Sequence, residues 1–244
     1  MSAEESRITS REPGRNIIVA IDGPAGAGKS TIARRLAQYF GLLNLETGAM
    51  YRAFALKALR AEIPLDDSAA QERLAAETSI RLDAGEDENR VLLDEEDVTG
   101  LIRNPTVTDA ASRVSVLPAI RAWMVRLQQQ LGAKGGVVME GRDIGTVVFP
   151  HAEVKIFLDA APEVRGQRRF EQLGRQGVLS APPPEEIIRD LRARDERDRN
   201  RADSPLKAAP DSVILDSTAM TLEEVVAAAQ AIVEAKLGQL KPTH

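Results

Sequence analysis

This sequence of 244 residues contains no cysteine and only two histidines. Without cysteine the chain can form neither disulfides nor thiolate metal sites, and a zinc site would have to rely mainly on carboxylates. An excess of basic residues is also missing. The net charge is −5 at pH 7, whereas broad nucleic-acid binding needs a basic face that displaces counterions from phosphates. No apolar run approaches the ~20 residues that a membrane-spanning helix requires.

The composition favours a folded protein with one sizeable core. Apolar residues make up 43% of the chain, and the length suits one domain with insertions. The first residues are acidic where a signal peptide would be basic, and no apolar segment follows them. We therefore expect a cytoplasmic monomer that binds neither membrane nor nucleic acid, with one domain over residues 16–238 between polar tails at 1–15 and 239–244.

Five short apolar runs alternate with segments long enough for helices. The first run is followed by a glycine turn and by a helical apolar pattern over residues 30–40, which Gly41 ends. Thr221 and Glu224 form the capping-box pattern at the start of the last helix. This alternation predicts a three-layer α/β fold, with a five-stranded parallel sheet and helices on both faces. The five expected strands are residues 16–21, 42–45, 137–139, 154–158 and 213–215.

Residues from about 63 to 104 interrupt this alternation. Two candidate strands at 79–82 and 91–93 surround a polar turn at 85–89, a pattern typical of a hairpin. The sequence therefore predicts a small antiparallel lobe inserted into the βα chain.

The segment Gly23-Pro-Ala-Gly-Ala-Gly-Lys-Ser30 matches the pattern G-x-x-x-x-G-K-[ST] of a phosphate-binding loop. Its glycines allow backbone N–H groups to approach a β-phosphate closely, and the helix N-terminus adds partial positive charge. In such loops the lysine bridges the β- and γ-phosphates and the hydroxyl binds Mg²⁺, which are the roles of Lys29 and Ser30 here. Asp22, just before the loop, either orders the water shell of the metal or forms the turn. The expected ATP site is Gly23, Pro24, Ala25, Gly26, Ala27, Gly28, Lys29, Ser30 and Thr31.

Two later segments place charged side chains where a second phosphate can be held. Thr47 is positioned to cap the helix after the second strand, with Arg52 inside that helix. The alternative is a capped helix with a surface arginine. Glu140, Arg142 and Asp143 follow a buried strand, and ligands of open α/β sheets bind at this edge.

A third segment, residues 189–201, is dense in charge. Arg194, Asp198 and Arg201 have the spacing i, i+4, i+7 and share one helix face, so two guanidinium groups and a carboxylate can meet a phosphate and its ribose. Most such runs are solvated helix faces held by ion pairs, and that alternative stays open.

Together these segments resemble the bacterial cytidylate kinase family. The resemblance extends from Ile17 to about Leu237 and is carried by residues 21–30, 47–52, 141–150, 155–159 and 194–201. It implies transfer of the γ-phosphoryl of ATP to CMP or dCMP, with Mg²⁺ as cofactor.

The resemblance also implies roles on the acceptor side. A carboxylate at Asp143 would accept a hydrogen bond from the N4 amino group of cytosine and repel the carbonyl of uracil. Lys29, Arg142 and Arg194 would be the catalytic residues that stabilise the transferring group. The phosphate would be held by Thr47, Arg52, Arg142 and Arg194, the sugar by Asp198 and Arg201, and the base by Ser112, Arg121 and Asp143.

Residues from about 163 to 180 resemble the short lid of this family. One or two of its four arginines, Arg165, Arg168, Arg169 and Arg175, would close over the transferring phosphoryl group. Two alternatives remain: a kinase for another small acceptor, such as UMP or a sugar-like acid, and a nucleotide-switch or regulatory ATP-binding protein. The second alternative would need no acceptor anion site.

Overall fold

The computed structural model describes residues 16–83, 89–175 and 182–240. The expected tail at 1–15 lies outside this part of the chain, as do residues 241–244, 176–181 and most of the polar turn at 85–89. In chain order, the elements are β1 (Ile18–Asp22), α1 (Lys29–Phe40), β2 (Leu43–Glu46), α2 (Thr47–Arg60), α3 (Ser68–Ala76), β3 (Ile80–Asp83), β4 (Arg90–Leu93), β5 (Glu96–Asp97), α4 (Pro105–Val114), α5 (Pro118–Gly132), β6 (Val137–Gly141), a π turn (Ile144–Val148), β7 (Val154–Asp159), α6 (Pro162–Arg175), α7 (Pro184–Asn200), β8 (Val213–Asp216) and α8 (Leu222–Leu240).

The main sheet confirms the predicted α/β fold. Its five strands are parallel and lie in the order β2-β6-β1-β7-β8, so β1 is central. Successive side chains of β1 point to opposite faces, and Val19, Ala20 and Ile21 are all fully buried. A strand buried on both faces reads as a continuous apolar run, which is why the sequence pattern was informative here.

Each face of the sheet is covered by its own apolar core. Leu36 of α1 belongs to the core on one face, together with Val225 and Val233 of α8. Phe54 of α2 and Met124 of α5 pack with α4 against the other face. The sheet is therefore the middle of three layers.

The inserted segment also folds as an antiparallel unit. β3 and β4 pair as the expected hairpin, and β5 adds a third strand that sequence patterns missed because it consists of two polar residues. Leu82 and Val91 of this unit belong to the same core as Phe54, so the insertion shares its interior with the main sheet.

The end of α1 and the start of α8 have the capping residues that the sequence predicts. Gly41 ends α1 with φ 63°, a left-handed conformation that suits glycine. The capping box at α8 is formed: Thr221 N–H donates to Glu224 Oε2 at 2.8 Å, and Glu224 N–H donates to Thr221 Oγ1 at 3.3 Å. Over the described ranges, every helix is too short or too polar to cross a membrane.

Candidate active site

A large cleft lies at the carboxyl ends of the parallel strands. Its volume is about 1990 Å³, whereas a pocket for one small ligand measures roughly 300–1,000 Å³. The cleft therefore has room for two ligands side by side. Its walls bring together most of the predicted site residues: Ala25, Gly26, Ala27, Gly28, Lys29, Ser30, Thr31, Thr47, Arg52, Ser112, Arg121, Arg142, Asp143, Arg194, Asp198 and Arg201.

The first two residues of the phosphate-binding loop do not line the cleft. A Cβ on Gly23 would lie 2.0 Å from Leu158 O, so the glycine is required for packing against β7. Pro24 O accepts a hydrogen bond from Lys29 Nζ at 2.8 Å. Burial, with the charge of Arg142 as the next cause, lowers the pKa of Lys29 to about 7.

Ser30 lies beside an acidic residue that the sequence analysis left without a role. Its hydroxyl donates to Glu140 Oε1 at 3.0 Å, and burial raises the pKa of Glu140. Hydroxyl and carboxylate oxygens are the hard ligands that Mg²⁺ prefers, and Mg²⁺ usually keeps several waters. Within the described ranges, three or more acidic or histidine side chains do not converge on one point. The donor set at Ser30 and Glu140 fits a partly hydrated Mg²⁺.

Asp22 has a role that neither sequence interpretation named. Its carboxylate oxygens accept hydrogen bonds from the backbone N–H groups of Ile144 and Gly145, each at 2.7 Å. Burial raises the pKa of Asp22 to about 7. Asp22 therefore fastens β1 to the π turn that follows Arg142 and Asp143, and it fixes where those two residues enter the cleft.

Arginines converge opposite the phosphate-binding loop. Arg142 Nε lies 2.9 Å from Asp198 Oδ2, and Arg52 pairs with Glu46. Burial, followed by the nearby charge of Arg142, lowers the pKa of Arg194 to about 10. Like charges held close together in a cleft create a favourable position for an anion.

Further along the cleft, polar groups are arranged around a second carboxylate. Arg121 pairs with Asp143, both almost fully buried, and Arg201 Nη2 lies 3.7 Å from Asp143 Oδ1. Arg201 Nη1 is 3.7 Å from Asp198 Oδ1. Three buried polar atoms here have no hydrogen-bond partner among the described residues: Ser112 Oγ, Arg121 Nε and Arg201 Nη2. Leaving such atoms unpaired is costly, so this end of the cleft fits a polar ligand.

The predicted helix cap at Thr47 is wrong. Glu46 is the residue before α2, and Thr47 is the first helical residue. The Thr47 hydroxyl instead donates to Glu140 O at 2.8 Å, which ties the start of α2 to β6. Thr47 still lines the cleft, because the end of β2 lies beside β6.

The four arginines expected in a lid differ in their contacts. Arg165 is buried and donates to the backbone oxygens of Ala160 and Ala25, so its guanidinium is not free to close over a ligand. Its place in the first turn of α6 puts it beside the phosphate-binding loop, where a Cβ on Gly26 would be 3.4 Å from Arg165 Cβ. Arg168 donates to Ser217 O at 2.7 Å. Arg169 and Arg175 line the cleft and, within the part of the chain that the structure describes, make no such backbone contact to another element.

A family model described as "Cytidylate kinase" matches residues 19–235. The chain belongs to the cytidylate kinase family. It is 47% identical over 226 residues to a cytidylate kinase of Solibacter usitatus, covering 91% of this chain and 94% of that protein. It is 50% identical over 209 residues to one of Pelotomaculum thermopropionicum, with 85% and 92% covered. A third, from Pasteurella multocida, is 43% identical over 221 residues, with 91% and 96% covered.

Sequence reasoning missed some cleft residues of this cytidylate kinase family member. Asn89 donates to Asn44 O at 2.8 Å and accepts from Glu46 N–H at 3.2 Å, and so fastens the insertion to the end of β2. Glu46 holds Arg52. Neither had a motif that identified it. Glu140 did carry a signal, because it precedes the Gly-Arg-Asp segment at the end of a buried strand.

Proposed function

We propose that the cleft transfers the γ-phosphoryl of ATP to CMP or dCMP, giving ADP and CDP or dCDP. The observation that carries this function is the continuity of one cleft. It runs from the phosphate-binding loop, past a cluster of arginines, to the Arg121–Asp143 pair and its unsatisfied donors. Membership of the cytidylate kinase family supports the same reaction.

The donor end binds the ATP phosphates. The N-terminus of α1 and the loop amides surround the β-phosphate, and Lys29 moves from Pro24 O to the β- and γ-phosphates. Mg²⁺ would be held by Ser30 and Glu140 together with water and phosphate oxygens, and when bound it neutralises charge on those oxygens.

The acceptor phosphate lies between the loop and α7. Arg52, Arg142 and Arg194 hold its oxygens, and the Thr47 hydroxyl lies at the same wall of the cleft. Positioning and charge stabilisation dominate phosphoryl transfer, because the transition state spreads negative charge over the equatorial oxygens. Lys29, Arg142 and Arg194 therefore act by alignment and electrostatics, and no general base is required.

The far end of the cleft reads the nucleoside. Asp143 accepts from the N4 amino group of cytosine, while Ser112 Oγ and Arg121 Nε meet the acceptor atoms of the base. Asp198 and Arg201 bind the sugar. A site built to pair polar groups rejects a ligand that leaves them unpaired, so we expect UMP to be a poor acceptor.

Transfer to CMP rather than to water requires the cleft to close. Arg169 and Arg175 lie on the wall formed by α6, and burial, followed by the nearby Arg52, lowers the pKa of Arg169. The negative phosphoryl oxygens would attract these two arginines into the cleft. The closed cleft would then exclude water. We also propose that the protein is cytoplasmic, in keeping with its lack of cysteine, and that it acts as a monomer.

The arginine cluster argues against the rival function of a regulatory ATP-binding protein, because such a protein needs no second anion site. The test is an ADP-release assay with Mg-ATP and CMP, dCMP, UMP, AMP or GMP as acceptor. Turnover restricted to the cytidine nucleotides is expected. ATP binding without turnover of any acceptor would favour the rival.

Asp143→Asn tests the reading of the base. The amide keeps an oxygen for Arg121 but can also donate a hydrogen bond to uracil. One such pair discriminates by about 1–3 kcal/mol, so the ratio of kcat/KM for CMP over UMP should fall by about tenfold or more. Asp83→Asn, on the exposed hairpin, is the matched control and should leave the ratio unchanged. An unchanged ratio in Asp143→Asn would refute the base contact.

A further inference from the structure

Two buried, oppositely charged side chains beneath the phosphate-binding loop take no part in the roles described above. Arg165 of α6 is 2% exposed and Asp195 of α7 is 3% exposed. Arg165 Nη1 lies 2.7 Å from Asp195 Oδ2. Burying two charges is costly, and apolar side chains of similar volume often give equal or greater stability. The pair therefore needs an explanation other than stability.

Both members of the pair hold the backbone of one loop residue. Arg165 Nη1 donates to Ala25 O at 2.7 Å, and Asp195 Oδ1 accepts from Ala25 N–H at 3.2 Å. Arg165 Nε donates to Ala160 O at 2.8 Å, which fixes the plane of the guanidinium. The Ala25 N–H thus points to Asp195 rather than to a phosphate, and the loop is attached to both helices at this residue.

The two helices that hold Ala25, α6 and α7, are closely packed against each other. A Cβ on Gly166 would lie 2.2 Å from Ile188 Cγ1, so α6 and α7 approach closely where the glycine lies. Gly26, with φ 75°, lies over Arg165, and a Cβ there would be 3.4 Å from Arg165 Cβ. The loop therefore rests directly on the helix pair.

The neighbour of Asp195 in α7 is Arg194, which lines the cleft. Adjacent residues of a helix project about 100° apart. In the same turn of α7, Asp195 therefore points to the loop, while Arg194 points to the proposed position of the acceptor. We propose that Arg165 and Asp195 are positioning residues, which fix the distance between the ATP phosphates on the loop and the acceptor phosphate on α7. This inference rests on the proposed function, since it takes α7 to hold the acceptor.

The expected effect follows from geometry. Loosening Ala25 removes the preorganised shape of the loop and lets the two phosphates drift relative to each other. A misplacement of about 1 Å can reduce a rate about 100-fold. The acceptor contacts of Arg194 and Asp198 do not involve Ala25, so CMP binding by itself should be retained.

The test replaces the pair by apolar residues, Arg165→Met/Asp195→Leu, so that no buried charge is left unpaired. The matched control is Glu163→Gln/Arg192→Gln. It removes an ion pair between the same two helices, but that pair is 59% exposed on both sides and the loop is not part of it. Folding is checked by thermal melts. Calorimetry gives the Kd of ADP and the Kd of CMP without ADP, and steady-state assays give kcat.

For the apolar variant we expect kcat to fall by about tenfold or more and ADP to bind at least about fivefold more weakly, with the Kd of CMP within about threefold. For the control variant, kcat, the Kd of ADP and the Kd of CMP should each stay within about twofold of the wild-type value. A folded apolar variant with normal kcat and ADP affinity would overturn the proposal. If it does not fold, Arg165→Lys is judged by the same criteria, because lysine keeps a positive charge beside Asp195 but cannot hold Ala25 O and Ala160 O together as the guanidinium does. Wild-type protein that binds ADP but phosphorylates no acceptor would refute the proposed function, while the ADP affinities would still decide the role of the pair.

Discussion

At the scale of single residues, the cleft depends on side chains whose charge is altered by burial. Lys29 is the clearest case, because its pKa of about 7 leaves most of the amine neutral at pH 8. The ammonium form is the one that binds phosphates, and the negative charge of ATP favours it. Binding of ATP is therefore linked to protonation of Lys29.

This linkage gives the first prediction. At pH 8, ATP binding should take up close to one proton, and at pH 6, where Lys29 is already charged, it should take up little. Calorimetry in two buffers of different ionisation enthalpy measures the uptake. Lys29→Arg keeps its charge throughout this range and should abolish the uptake. Uptake that persists in Lys29→Arg would assign the proton to Asp22, whose pKa is also about 7.

Glu140 gives the second prediction. Glu140→Gln can keep the hydrogen bond to Ser30 but removes the negative charge beside it. Altering a group of this kind next to a metal typically costs about 10- to 100-fold in metal affinity. Titration of Mn²⁺ into the ADP complex, followed by electron paramagnetic resonance, should show weaker binding by about that factor. Equal Mn²⁺ affinity in both proteins would remove Glu140 from the metal site.

The residue scale also shows where sequence reasoning stops. Arg142, Arg194 and Asp198 were identified because strand ends and helix spacing bring them to one edge. Arg165 was grouped with the lid arginines and Asp195 was not singled out, because both lie in segments rich in arginine and acidic residues. In such segments many side chains share the spacing of an ion pair, and only packing against the loop decides which of them is buried.

At the scale of elements, the close contact between α6 and α7 helps to set the position of Arg194, which lies on α7. Gly166→Ala should destabilise the protein by about 1–3 kcal/mol, because the new methyl group would overlap Ile188. Gly174→Ala, in the same helix but with no atom within 4 Å of the new Cβ, should instead stabilise it by about 0.5–1 kcal/mol. Urea unfolding of both variants measures the difference, and equal effects would contradict the close approach of the helices.

Helices and strands were predicted best where the periodicity of apolar residues determines the type of element. The five main strands and α1 follow from short apolar runs and a helical pattern. β5 and the π turn do not, because β5 has two polar residues and the π turn is held by Asp22 from a distant strand. The helix start at Thr47 was misplaced for the same reason, since its hydroxyl bonds to β6.

At the scale of the molecule, the insertion and the sheet share one core, because Leu82 and Val91 pack with residues of α2 and β6. We therefore expect residues 16–238 to unfold in one cooperative transition. ADP at about 100 times its Kd adds about 2.7 kcal/mol of stability, which for a domain of this size is a rise in Tm of about 5–10 °C. Scanning calorimetry tests both points. Two separate transitions, of which only one moves with ADP, would show that the insertion is an independent unit.

Three arginines of the cleft are paired with carboxylates of the chain itself: Arg52 with Glu46, Arg142 with Asp198 and Arg121 with Asp143. An incoming anion must compete with these internal partners before it gains the arginines. Free inorganic phosphate can offer only one charged group, whereas CMP would satisfy the proposed phosphate, sugar and base contacts together. We therefore expect inorganic phosphate to compete poorly with CMP for this cleft.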